Sequence, residues 1–123
     1  MIVLDEQICI PELRNAISHW YPGKVAYITD LRPDTHIDDV EIPAILLKVK
    51  QPTFVTINYK DFWRKINVHR DYCIICILLE PRYWRQVNPI VRDLLSLPEF
   101  KNKKDRMGTM ISYRDGVVKW NQL

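Results

Sequence analysis

Glycine is scarce. Three glycines in 123 residues leave no Gly-rich loop of the kind that cradles phosphates. Cysteine is as sparse: Cys9, Cys73 and Cys76 are odd in number and spread apart, which excludes a disulfide framework. The close pair, Cys73-x-x-Cys76, falls inside an apolar run read as a strand. A spacing of three there sends the two side chains to opposite faces, so inert packing is expected rather than zinc or redox chemistry. No apolar run approaches the roughly 20 residues that a membrane helix needs. The N-terminus lacks the basic, apolar and small-residue succession of a signal peptide, so a cytoplasmic location without a membrane partner is expected. His19, His36 and His69 are scattered, with no metal-ligand spacing, no Ser-His-Asp order and no nucleophile elbow. His36 stands near an acidic stretch and could touch a ligand, although a surface loop accounts for it more simply. There are no repeats, low-complexity tracts or linkers, so residues 1–123 are read as a single domain.

What is present is ordinary in amount and uneven in placement. Apolar residues make up 47% of the chain and charged residues 27%, enough for a buried core. The net charge of +3 permits a nucleic-acid partner without requiring one. Acids concentrate early, from Asp5 to Glu41, and bases later, from Lys60 to Arg70 and from Lys101 to Arg106.

Hydrophobic patterning gives an alternating order of elements. Residues 2–5 read as a buried strand. Residues 11–20 read as a helix with Pro11 in its first turn, stopped by Tyr21-Pro22-Gly23. A second strand covers 24–29. Asp38-Asp39-Val40-Glu41 has the form of a capping box before an apolar helix from Ile42 to Val49, ended by Gln51-Pro52. Strands follow at 53–57 and 71–79, a helix at 86–97, a basic connection at 101–106 and a hairpin at 108–121 turning on Asp115-Gly116. This alternation predicts an α/β fold: a three-layer α/β/α sandwich with a mainly parallel central sheet, plus a C-terminal β-hairpin.

In such a sheet, strand ends and the following helix starts share one edge, where ligands bind. Asp5 and Glu6 end the first strand, Asp39 and Glu41 open the second helix, and Asp61 follows the third strand. Carboxylates gathered in this way suit a hard divalent cation, Mg²⁺ or Mn²⁺, which can activate water and stabilise a leaving oxygen in phosphodiester cleavage. Helix capping by Asp38 and Glu41 and a turn at Asp61 are the plain structural alternative. Two basic and aromatic sets fall at the same edge: Lys60, Trp63, Arg64 and Lys65, and Arg82, Tyr83, Trp84 and Arg85. They could hold phosphates and stack on unpaired bases, or could simply pack under loops.

Three segments taken together resemble the PIN-like nuclease domains, especially the short prokaryotic group related to VapC-type toxins. IVLDEQ at 2–7 resembles the opening strand, DDVEI at 38–42 the capped acidic helix start, and FVTINYKDF at 54–62 the strand and turn Val-Thr-x-Asn-x-x-Asp-Phe. The resemblance implies a metal-dependent endoribonuclease, the toxin of a toxin–antitoxin system, with Asp5, Asp39 and Asp61 holding Mg²⁺ or Mn²⁺. It implies Glu6, Glu41, Thr56 and Asn58 as auxiliary groups and Lys60, Arg64 and Lys65 as substrate-binding residues. The implied partners are RNA and a small antitoxin protein, with a homodimer allowed. Gln7 stands where the group often has Asn, and Asn58 where many members place a further acid. A catalytically weak or inactive PIN-like module that binds RNA or a protein is therefore the alternative. A phosphotransfer receiver also starts with acids after strand one, but no later lysine stands at a strand end with a hydroxyl partner, and the chain closes in a hairpin.

Overall fold

The computed structural model describes residues 1–33, 36–57 and 66–123. Its centre is a six-stranded sheet in the order β2-β1-β3-β4-β5-β6. The strands are β1 (Ile2–Leu4), β2 (Val25–Tyr27), β3 (Thr53–Ile57), β4 (Cys73–Ile77), β5 (Thr109–Arg114) and β6 (Val117–Gln122). All neighbours run parallel except β5 and β6, which pair antiparallel. The helices are α1 (Pro11–Trp20), α2 (Ile28–Leu31), α3 (Ile42–Leu46), α4 (Val87–Leu94) and α5 (Lys103–Arg106). The expected α/β sandwich with a C-terminal hairpin is thus the observed architecture. None of the described helices is long and apolar enough to cross a membrane.

Period-two alternation divides the core into two layers. Ile2, Leu4, Val55, Ile57, Cys73, Ile75 and Ile77 face one side, with Leu13 and Ile17 of α1 and Val87, Val91 and Leu94 of α4. Val3, Phe54, Ile74 and Cys76 face the other, with Ile42, Ile45 and Leu46 of α3. Cys73 and Cys76 accordingly lie on opposite faces, as their spacing predicts.

The hand of the crossovers is not uniform. From β1 to β2 the chain steps outward over the face of α1. From β2 to β3 it steps back past β1 over the face of α3. Reversing both direction and face leaves the hand unchanged. From β4 to β5 it steps in the same direction as from β2 to β3, yet carries α4 over the face of α1. That crossover has the opposite hand, a departure from a rule obeyed in about 98% of such units. It lets α4 pack against α1 and brings residues 95–106 back under the starts of the strands.

Several boundaries differ from the sequence expectation. The second strand stops at Tyr27 rather than at 29, because the Asp30 carboxylate turns back to accept the Tyr27 N–H at 2.9 Å and nucleates α2. The helix beginning at Ile42 ends at Leu46 and continues only as tighter turns, with Lys48 N–H donating to Ile45 O and Val49 N–H to Leu46 O. The central strand is Cys73–Ile77, shorter than 71–79. The last long helix is Val87–Leu94, preceded by a 3₁₀ segment at Pro81–Gln86. Residues 101–106, read as a polar connection, contain α5 and bury Arg106 to 2% exposure.

The hairpin turn has φ of +48° at Asp115 and +81° at Gly116. Left-handed geometry at both central residues is what a two-residue turn needs to match the strand twist.

Candidate metal and nucleic-acid site

The sheet reverses its direction of growth between β1 and β3, and the crevice beyond the carboxyl ends of those strands is the usual ligand position in this architecture. Asp5 occupies it. The ladder runs one rung past β1, with Asp5 N–H donating to Val55 O at 3.0 Å. Its side chain is half-buried and doubly held. Oδ1 accepts the Glu6 N–H at 2.8 Å, capping the 3₁₀ turn Glu6–Ile8, and Oδ2 accepts the Thr56 hydroxyl at 2.6 Å. Thr56 is fully buried within β3, so its Oγ1 anchors the carboxylate rigidly. Burial pushes the Asp5 pKa up. The Thr56 and Glu6 hydrogen bonds oppose that shift, and the charges of Asp39 and Glu6 add to it.

The loop before α3 folds over this carboxylate. Glu6 Oε1 accepts the Ile37 N–H at 3.0 Å. His36, largely exposed, places Nδ1 3.9 Å from Glu6 Oε2 and Nε2 3.2 Å from Asp38 Oδ1. Asp38–Glu41 forms the expected capping box, with the Asp38 N–H donating to Glu41 Oε2 at 2.9 Å. Glu41 Oε1 pairs with Arg32 Nη2 at 3.0 Å. Arg32 foremost, then the Asp38 N–H, pulls the Glu41 carboxyl below its ordinary pKa. Cys9 also reaches the site, with Sγ 3.3 Å from the Asp5 carbonyl oxygen.

Of the residues singled out in the sequence, Asp5, Glu6 and Thr56 come together, Asp39 acts on Asp5 through its charge, and Glu41 is committed to a capping role and an ion pair. Asn58, Lys60, Asp61, Arg64 and Lys65 lie outside the described residues. Among the described residues no group of three or more His, Cys, Asp or Glu is arranged to hold a metal ion. Carboxylate oxygens are the type of donor that hard cations take, and the charge of Asp39 acts on the Asp5 carboxylate. The second basic and aromatic set is at the same edge. The segment Pro81–Gln86 follows β4 and packs against Glu6–Ile8. There the Arg85 guanidinium lies 4.4 Å from the Trp84 ring centre, and Arg82 lies 4.8 Å from that of Tyr83 while pairing with Glu80 at 2.8 Å.

Sequence reasoning did not find Arg32 or Cys9. Neither carries a motif: Cys9 is turned onto Asp5 by the 3₁₀ turn after β1, and Arg32 reaches Glu41 across the loop before α3. His36 was legible through its nearness to Asp38.

No family model matches this chain. Neither the curated proteins nor the solved structures provide a match. The fold class is one that many unrelated functions share, so function must be argued from the site itself.

Proposed function

We propose that this chain is a metal-dependent endoribonuclease that hydrolyses RNA phosphodiester bonds, with PIN-like character, acting as the toxin of a toxin–antitoxin pair. The observation that carries this reading is the Asp5 carboxylate. It stands at the β1/β3 crevice, oriented by Thr56 and the Glu6 N–H, with Asp39 near enough for its charge to act on it. A Mg²⁺ or Mn²⁺ ion would supply a water of lowered pKa and charge stabilisation for the leaving group. Asp5 and Asp39 hold the cation, joined by Asp61 in the PIN-like reading. Arg82 and Arg85 steady the phosphates, and Tyr83 and Trp84 offer faces for unpaired bases. Lys60, Arg64 and Lys65 extend the same role. The test is incubation of purified protein with mixed RNAs and Mn²⁺. Cleavage that EDTA abolishes, and that is lost in Asp5→Asn with Asp39→Asn, is expected. Cleavage indifferent to both overturns the proposal.

A non-cutting module that binds RNA or a partner protein is the second reading. It is favoured by how far the auxiliary acids are committed: Glu6 to the Ile37 N–H, Glu41 to Arg32 and the Asp38 N–H. Calorimetric titration with Mn²⁺ separates the two, because only the enzyme requires cation binding that depends on Asp5.

A further inference from the structure

The opposite edge of the sheet, where the strands begin, carries a feature that the acidic crevice does not explain. Arg106 ends α5 with 2% of its surface exposed. Its Nε donates to Thr53 Oγ1 at 2.8 Å, Nη1 to the carbonyls of Phe100 and Lys101 at 3.2 and 3.4 Å, and Nη2 to the Tyr21 hydroxyl at 3.5 Å. All four acceptors are neutral. A guanidinium has five N–H donors, so one Nη2 N–H has no acceptor among the described residues. Cys73 is no hidden counter-ion: burial pushes its thiol up to about 12, with Arg106 acting the other way. Asp105, next in the chain, turns away to the Asn102 amide at 3.1 Å. A buried cation without a counter-charge is costly.

A cavity of about 300 Å³ opens beside this guanidinium, between the end of α1 and the returning limb of the crossover of unusual hand. Trp20, Tyr21, Lys101, Asn102, Lys103 and Arg106 line it. Three of these side chains are cationic and none is acidic, and neither lysine has an ion-pair partner among the described residues. The other wall is apolar and stiff. Trp20 is pinned by its Nε1–H to Asn88 Oδ1 at 2.6 Å and meets Tyr21 edge to face. The volume is at the lower end of the roughly 300–1,000 Å³ usual for small-molecule sites.

We propose that this cavity binds a small phosphate monoester carrying a planar body, of the mononucleotide class. The phosphate accepts a single charge-assisted hydrogen bond from the remaining Arg106 N–H and pairs with the two ammonium groups. The planar body lies against Trp20 and Tyr21. The site is separate from the acidic crevice: Thr53 and Thr56 stand three residues apart on one strand, about 10 Å at the rise of a β-strand. It does not rest on the nuclease reading.

The test uses the full chain in metal-free buffer containing EDTA, which keeps the acidic edge out of the measurement. Adenosine 5′-monophosphate, inorganic phosphate and adenosine are titrated separately by calorimetry. The nucleotide is expected to bind with a submillimolar Kd, phosphate at least tenfold more weakly, and adenosine not measurably. Arg106→Met removes the bond to Thr53 and threatens the fold, so the discriminating variant is Lys101→Ala with Lys103→Ala, both at exposed positions. It should keep the wild-type melting temperature and lose at least tenfold in nucleotide affinity. Adenosine binding as tightly as its monophosphate, affinity unchanged in the lysine variant, or no heat with any of the three overturns the proposal.

Discussion

Asp5→Asn should make the protein more stable, and the gain should depend on pH in one direction only. In the folded state burial raises the Asp5 pKa above its ordinary value of 3.8, with Asp39 and Glu6 adding to the rise. The folded protein therefore holds the proton to higher pH than the unfolded chain does. Between the two pKa values the folded state binds more protons, so stability falls as pH rises through that window and stays lowered above it. At neutral pH the wild type carries the full cost of a charged Asp5. The cost is about 1.4 kcal/mol for each pKa unit of difference between the two states. Asparagine removes it and keeps the bond from the Glu6 N–H to Oδ1. The Thr56 hydroxyl, now facing an amide N–H, must turn to accept, and that reorientation takes back part of the gain. The net expectation is a higher Tm for the variant at pH 7.5, by whatever part of the charged-state cost the Thr56 turn does not take back. The assay is thermal and urea unfolding of both proteins from pH 3 to pH 8, in EDTA. The difference should shrink towards zero below pH 3.8, where Asp5 is protonated in both states. A variant less stable than wild type at neutral pH, or a gain that does not change with pH, refutes the reasoning. If the proposed metal site is right, adding Mn²⁺ should raise the wild-type Tm and leave the variant unmoved, because a ligand held by Asp5 stabilises only the protein that binds it.

Thr56→Val removes the 2.6 Å hydroxyl bond to Asp5 Oδ2. It should cost about 2 kcal/mol at neutral pH by urea unfolding, in the range for a hydrogen bond to a charged group, and should raise the Asp5 pKa further when read by carboxyl NMR titration. At pH 8 a thiol reagent should modify at most Cys9 in the native protein and all three cysteines in urea, because Cys73 and Cys76 are fully buried and the Cys73 thiol sits near 12. Labelling of Cys73 or Cys76 at the Cys9 rate contradicts the packing described. Gly116→Ala should cost about 1 kcal/mol in Tm-derived stability: nothing lies within 4 Å of the added Cβ, so the whole cost is the left-handed φ of +81°.

Much of the fold was legible because local signals and the final structure agree. Pro11 and the Leu13–Ile17 spacing set α1 to the residue. Thr53–Ile57 was read as the strand it is, and Asp115-Gly116 as the turn. Three of the misread boundaries share a cause. At Tyr27, at Leu46 and before Val87, short-range hydrogen bonds to side chains or i−3 carbonyls end or tighten an element, and apolar periodicity does not record them. At the site, Asp5 was legible because an apolar strand ran straight into an acid. Asp39 was legible through its capping box. Arg32 and Cys9 were not, since neither carries a motif, and at the opposite edge Arg106 takes its role from Thr53 and Tyr21, distant in the chain.

The sequence by itself determined the alternation of elements, the two-faced division of the core and the carboxylate at the end of β1. Those follow from periodicity and capping, which act over a few residues. Only the tertiary structure decided the strand order that opens the crevice between β1 and β3, because order depends on which crossovers pass over which face. It decided the opposite hand of the β4-to-β5 crossover for the same reason. It likewise decided that a stretch read as a basic connection sends Arg106 beneath the sheet: burial of a charge is settled by the neutral acceptors that happen to surround it, and those come from the end of α1, β3 and the loop before α5.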